Sequence, residues 1–112
     1  GIGGATAEIV GRKLKEISAH HQVICITHLP QIASYGAAHL KVSKKVSGGR
    51  TSTLVERIGE REKIEEISRM LGGVDVTETA KEHARAMIAA ANAPDEATGT
   101  GGSANAQKSA TR

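Results

Sequence analysis

The sequence lacks most of the side chains that build large protein cores. Its 112 residues include no tryptophan, no phenylalanine and a single tyrosine, Tyr35. Burial must therefore come from aliphatic side chains, of which a large one contributes about 1.5–3 kcal/mol when it is fully buried. The apolar share of 38% is enough for a core only if nearly the whole chain takes part. We expect one small domain with a thin core.

Other absences limit the class of protein. Cys25 is the only cysteine, so disulfides and a cysteine zinc site are excluded within the chain, and an intracellular, reducing compartment is expected. No apolar run approaches the length of about 20 residues that spans a bilayer, and no signal peptide opens the sequence. We therefore predict no membrane contact. The formal charge of +3 is spread among charges of both signs, which indicates nucleic acid only weakly.

The first part of the chain predicts the order helix, strand, helix. Apolar residues recur at helical spacing over about residues 5–19, which is typical of an amphipathic helix. Residues 23–27 form a short apolar run that suits a strand buried on both faces. Pro30 can open a short helix that continues to about Tyr35, before Gly36. This order favours the α/β class.

The second part predicts a β-hairpin and two helices. Apolar and polar residues alternate on both sides of the Gly48-Gly49 turn, which indicates a hairpin at the edge of a sheet. Residues 60–71 return to helical spacing, and Thr77 can cap a last helix. The predicted buried face of that helix consists of Ala80, Ala84, Met87, Ile88 and Ala91. Residues 93–112 have almost nothing to bury and are predicted to be a disordered tail.

His28 follows the apolar run directly. If residues 23–27 are a strand, His28 lies at its carboxyl end, the edge where ligands bind in open α/β sheets. An imidazole there can donate a hydrogen bond to a phosphate oxygen or to an attacking water. A loop histidine without a function would have the same sequence context, so both interpretations stay open.

Glycines precede the first predicted helix, in the segment Gly1-Ile2-Gly3-Gly4. They let backbone N–H groups approach an anion at a helix N-terminus, but no lysine follows as in the G-x-x-x-x-G-K-[ST] loop. A flexible start is the alternative. Because the chain opens without a methionine, we expect it to be part of a longer protein or a trimmed one.

Two further groups of side chains have simple alternatives. A metal site from His20, His21 and His28 is not favoured, because neighbouring helical residues point about 100° apart and no carboxylate stands at ligand spacing. The hairpin also carries several basic side chains that could contact a phosphate backbone. Edge strands carry lysines against aggregation as well, so this alternative stays open too. The basic residues are Lys41, Lys44, Lys45 and Arg50.

The glycine segment, the amphipathic helix and the stretch HQVICITHLPQIA together resemble the C-terminal end of the ATPase head of the RecN family. These bacterial DNA repair proteins are related to the structural maintenance of chromosomes proteins and to ABC-type ATPases. The resemblance continues through the hairpin and ISRMLGG to about Asn92. It implies that residues 1–92 are the C-terminal lobe of a P-loop NTPase fold, a partial ABC-type head, and leaves residues 93–112 as the tail.

The resemblance also implies roles for single residues. Gly1, Ile2, Gly3 and Gly4 match the D-loop, with Gly3 where many relatives have an aspartate, so contact there would come from the backbone. His28 matches the switch histidine, which senses the γ-phosphate of ATP. Walker A, Walker B and signature motifs are absent from these residues, so the chain alone is not expected to bind ATP tightly or to hydrolyse it.

The implied function is that of the complete protein. It is ATP-driven recombinational repair of DNA double-strand breaks in the bacterial cytoplasm, at the nucleoid, with ATP and Mg²⁺ held between two heads. The implied partners are the rest of the head, a second head and DNA. The alternative from the residues alone is a non-enzymatic nucleic-acid-binding or scaffold module whose working surface is the basic hairpin.

Overall fold

The computed structural model describes residues 3–94 of the chain. The elements of this range, in chain order, are α1 (Gly4–Ser18), α2 (Pro30–Ala33), β1 (His39–Ser47), β2 (Arg50–Ile58), α3 (Glu60–Gly72) and α4 (Glu78–Asn92). The α/β class is confirmed, as are the three longer helices and the hairpin. The boundary between residues 1–92 and a tail stays a prediction, because residues 95–112 lie outside the described part.

The predicted strand over residues 23–27 is wrong. These residues adopt neither helix nor strand, and the side chains of Ile24 and Ile26 are 80% and 98% exposed. A buried strand needs neighbouring strands to accept and donate its hydrogen bonds and helices to cover its faces. The sheet of the described residues contains β1 and β2 alone, so the apolar run has no strand beside it there.

The two strands form an antiparallel hairpin around Gly48 and Gly49. Both glycines have a positive φ, of 58° and 78°, which suits glycine because it lacks a Cβ. Positive φ at both turn residues is the geometry whose twist matches that of a hairpin. The register then pairs His39 with Ile58 at the open end. The prediction that the pair lies at the edge of a larger sheet is wrong for residues 3–94.

The two faces of the hairpin have different surroundings. One face packs towards α3, where Ile58 is buried and Lys41 Nζ lies 3.2 Å from Glu66 Oε2. Because directly paired residues of an antiparallel ladder share a face, the other face presents apolar side chains that are about half exposed or more. These are Leu40, Val42, Val46 and Val55.

The core lies between α3 and α4. Ile67 of α3 and Ala84 of α4 are fully buried, and Ile88 joins them in one cluster against which Ala33 of α2 packs. The cap of α4 is the predicted one, because Thr77 Oγ1 accepts a hydrogen bond from the Ala80 N–H at 3.1 Å. The few large side chains in this cluster confirm the thin core that the composition predicts.

Helices α1 and α2 pack in very close contact. A Cβ on Gly11 of α1 would lie 2.5 Å from Tyr35 Cδ2 and 3.2 Å from the backbone oxygen of Gln31, distances that leave no room for a methyl group. On the other side, Lys63 of α3 donates a hydrogen bond to the carbonyl oxygen of Gly36 at 2.6 Å. Burial lowers the pKa of the Lys63 ammonium. Residues 30–36, which we call the α2 segment, thus contact α1 on one side and α3 on the other.

His39 lies at the open end of the hairpin, where its surroundings lower the pKa of its imidazole. Burial lowers the pKa of its imidazole below the usual 6.5, and the charge of Lys63 lowers it further, while Glu66 raises it. A histidine with a depressed pKa in the folded state stabilises the fold above its unfolded pKa, and that stability is lost as the pH falls through the folded pKa. We expect His39→Gln to reduce the loss of stability between about pH 7 and pH 5, measured by urea unfolding.

The matched control is His83→Gln on α4, where the histidine is exposed. The control should keep the pH dependence of the unsubstituted chain. If His39→Gln and His83→Gln changed that dependence equally, His39 would not be its source.

Candidate functional site

His28 lies in a short turn between the irregular segment and α2. Its side chain is exposed, while Leu29, the next residue, is the N-cap of α2 with an extended backbone (φ −97°, ψ 117°). Pro30 follows at the first helical position and is buried. Proline suits this position because a helix has no acceptor for its first N–H groups. The imidazole is therefore presented to solvent from the start of a well-defined helix.

Two hydrogen bonds define the backbone on either side of His28. Thr27 Oγ1 accepts from the Leu29 N–H at 3.0 Å, so the bond spans His28. Downstream, Ser34 is buried and its hydroxyl donates to the carbonyl oxygen of Pro30 at 2.7 Å, within the turn of α2. The histidine backbone thus connects to α2 through ordered polar contacts rather than through a strand.

The glycine segment is described only in part. Gly1 and Ile2 lie outside the described residues, Gly3 is the N-cap of α1 and Gly4 is its first residue. No side chain caps this end of α1, and the first bond inside the helix runs from the Ala7 N–H to the Gly3 oxygen at 3.0 Å. The N–H groups before Ala7 have no acceptor within the helix, as at any helix start. They are available to an anion or to water.

One side-chain contact links the two predicted site segments. A Cβ on Gly4 would lie 3.6 Å from Gln31 Nε2, so the end of the Gln31 side chain reaches the first residue of α1. The backbone of Gln31 lies about two turns further along α1, because its carbonyl oxygen is 3.2 Å from a Cβ on Gly11. His28 is three residues before Gln31 in the chain.

Comparison with characterised proteins identifies the family. The DNA repair protein RecN of Halalkalibacterium halodurans is 46% identical over 88 residues, which are 79% of this chain and 16% of that protein. RecN of Bacillus subtilis is 41% identical over 88 residues, or 79% of the chain and 15% of that protein. RecN of Deinococcus radiodurans is 45% identical over 89 residues, or 80% of the chain and 16% of that protein.

The chain belongs to the RecN family. The predicted resemblance is thereby confirmed, although no family model matches the sequence. The chain spans only 15–16% of the length of these RecN relatives. What complete RecN proteins do is therefore carried to this chain only as a proposal.

Other parts of this RecN chain offer less chemistry. Within residues 3–94 no three His, Cys, Asp or Glu side chains lie close enough together to hold a metal ion. An open groove between α1 and α4 is lined by residues that include Lys15 and Tyr35, but neither Gly4 nor His28 borders it. No helix in the described part is long and apolar enough to cross a membrane.

The basic residues of the hairpin do not form one patch. Lys41 is engaged with Glu66 of α3. Lys44 pairs in register with Thr53 and Lys45 with Ser52, and successive residues of a strand point to opposite faces. Lys44 and Lys45 are both exposed, so positive charge lies on both faces of the hairpin near its turn.

His28 is a candidate from the sequence, and its role stays a prediction, but the residues that contact its turn were not predicted. Gln31 beside Gly4 and the Thr27 hydroxyl beside the Leu29 N–H were not among the candidate residues. Thr27 two residues before the N-cap residue Leu29 was a usable signal, because threonine hydroxyls often bond to the backbone two residues on. No signal in the sequence indicated the contact of Gln31 with the start of α1.

Proposed function

We propose that this chain is the C-terminal lobe of the ATPase head of a RecN-type protein. In this proposal His28 contacts the γ-phosphate of ATP, and the segment Gly1-Ile2-Gly3-Gly4 approaches the nucleotide through its backbone. The observation that carries it is the exposed His28 just before α2, a helix whose Gln31 side chain reaches the N-terminus of α1.

The chemistry suits this arrangement. Phosphoryl transfer depends mainly on positioning and on stabilising charge at the phosphate oxygens, so one well-placed N–H donor has a large effect. An imidazole N–H of His28 can donate to a γ-phosphate oxygen or orient the attacking water. Backbone N–H groups at the start of α1 add favourable interactions with negative charge.

The remaining parts of the site must come from elsewhere in the protein. The 112 residues contain no G-x-x-x-x-G-K-[ST] loop, which cradles phosphates in P-loop ATPases. The described residues also lack a cluster of ligands that would fit Mg²⁺. In our proposal the rest of the head and a second head supply these groups, and ATP and Mg²⁺ bind where the two heads meet.

The exposed apolar surface of the chain supports a place within a larger protein. Ile24 and Ile26 are both at least 80% exposed in a segment without regular structure. Exposing large aliphatic side chains is costly in water, and a segment whose backbone is not paired in a ladder can add to a sheet. We propose that this segment becomes a strand of the sheet of the complete head, which would bring His28 to its edge.

The proposed biological role follows from the relatives, which are DNA repair proteins. We infer that the complete protein uses ATP in the recombinational repair of DNA double-strand breaks, in the bacterial cytoplasm at the nucleoid. His28→Ala in a complete RecN-type protein that carries these residues tests the proposal. Unchanged ATP turnover in that variant would overturn it.

A second candidate function rests on the end of the hairpin. Lys44, Lys45 and Arg50 are exposed, and no ion pair joins them to an acidic side chain in the part of the chain that the structure describes. Exposed lysine and arginine side chains without an acidic partner can bind the phosphates of a nucleic acid and release its counterions. The hairpin would then act as a DNA-binding module without ATP.

This second function predicts an effect of charge reversal. The double substitution Lys44→Glu with Lys45→Glu should weaken DNA binding by the chain and reduce the salt dependence by about one unit of slope per lost phosphate contact. Fluorescence anisotropy with duplex DNA at several salt concentrations measures both quantities. The control is Lys13→Glu with Lys81→Glu, which changes the net charge equally at residues paired with Glu16 and Glu78 on helices. Equal weakening by the two double variants would contradict a hairpin site.

A further inference from the structure

Regular secondary structure holds the backbone after His28 but not before it. After it, Leu29 anchors α2, because its carbonyl oxygen accepts from the N–H groups of Ile32 at 3.1 Å and Ala33 at 3.0 Å. Before it, residues 22–27 have no regular structure. The orientation of His28 relative to α2 therefore depends on contacts within the turn that contains His28.

Thr27 supplies such a contact. Its Oγ1 accepts the Leu29 N–H at 3.0 Å in a partly buried position, and the bond closes a three-residue turn with His28 at its centre. The Leu29 N–H belongs to the N-cap of α2, where a backbone donor has no acceptor within the helix. Threonine is also stiff about χ1, so its hydroxyl keeps its direction with little loss of entropy.

We propose that Thr27 is a positioning residue for His28: its hydroxyl holds the histidine backbone in the orientation from which the imidazole meets a phosphate. The inference rests on the proposed function, since it assigns a supporting residue to the same site. Thr27 itself contacts no nucleotide in this scheme. It acts through the Leu29 N–H, and α2 carries the constraint onward because Gly11 and Lys63 hold the α2 segment from two sides.

The test is Thr27→Val in a complete RecN-type protein that carries these residues. Valine keeps the shape of threonine and its branching at Cβ but cannot accept the hydrogen bond. We expect kcat for ATP hydrolysis to fall about 10- to 100-fold with little change in KM, because a displaced catalytic group slows the chemical step more than it weakens binding. Thr27→Ser keeps the hydroxyl and should restore kcat to within a few-fold of the unsubstituted protein.

A second measurement separates positioning from folding. In the chain itself, amide hydrogen exchange of Leu29 should accelerate in Thr27→Val and not in Thr27→Ser, while exchange in α3 and α4 stays unchanged. Thr51→Val is the matched control, because Thr51 lies exposed on the hairpin. It should leave both exchange and kcat as they are.

The outcomes distinguish this inference from the proposed function. If His28→Ala lowers turnover and Thr27→Val does not, Thr27 has no positioning role and the proposed function stands. If Thr27→Ser is as slow as Thr27→Val, the hydroxyl is not the cause and the inference is overturned. If neither His28→Ala nor Thr27→Val changes turnover, the proposed function fails and the inference fails with it.

Discussion

Replacing His28 by alanine in a complete RecN-type protein that carries these residues is expected to lower ATP turnover about 100- to 1,000-fold, the usual effect of removing one donor that stabilises developing negative charge. The loss should appear mainly in kcat, because the imidazole contributes most when charge on the γ-phosphate is largest. Steady-state hydrolysis and ATP binding measured on the same variant separate the two quantities. His28→Gln, which keeps an N–H donor of a different shape, should retain part of the rate.

The chain offers a matched control for this experiment. His20 and His21 are exposed histidines just beyond the end of α1 and are not part of the proposed site. The double substitution His20→Ala with His21→Ala should leave turnover unchanged. If it lowered kcat as strongly as His28→Ala, the effect would come from a general loss of histidine side chains or of folding, and the assignment of His28 would be wrong.

Most of the fold could be predicted from the sequence because it depends on local signals. Helix α1 has its apolar spacing, α3 stops at Gly73 with a φ of 85°, and Thr77 caps α4 through its own side chain. The hairpin depends on Gly48 and Gly49, which adopt the backbone conformation that its turn requires. Each of these signals acts between residues that are close in the chain.

The prediction of a strand over residues 23–27 was wrong because it depends on contacts with residues far away in the chain. An apolar run predicts burial, but whether it forms a strand depends on neighbouring strands, and the sheet of residues 3–94 consists of the hairpin alone, which does not pair with the run. The same limit applies to the apolar face of the hairpin that includes Val42 and Val46. Both errors concern surfaces that the sequence marks as buried and that this chain leaves exposed.

The sequence predicted two parts of the candidate site, His28 and the glycine segment, but not the contacts that surround them. His28 stands out because it follows an apolar run and precedes Pro30. The contacts between α1 and α2 come from packing: Gly11 allows the two helices to approach, and the end of the Gln31 side chain reaches Gly4. Such contacts between two helices leave no periodic pattern in the sequence, so the geometry of the site required the structure.

The stability of the whole arrangement depends strongly on Ile67. Its side chain is 0% exposed in the cluster of α3 and α4, and Ala33 of α2 packs against the same cluster. Truncating a buried isoleucine to alanine costs about 2–5 kcal/mol through lost burial and the cavity left behind. We expect Ile67→Ala to lower the free energy of unfolding by that amount, measured by urea titration with circular dichroism. Since ordinary domains are stable by only about 5–15 kcal/mol, a thin core is close to unfolding after such a loss.

The same substitution on the surface provides the control, because Ile17 lies on α1 and is 49% exposed. Ile17→Ala should change the free energy of unfolding much less than Ile67→Ala, although both remove the same atoms from a helix. Ile67→Val, which removes one methylene, should cost about 0.5–1.5 kcal/mol and keeps the comparison measurable if the alanine variant does not fold. Equal effects at Ile67 and Ile17 would mean that the α3 and α4 cluster is not the core.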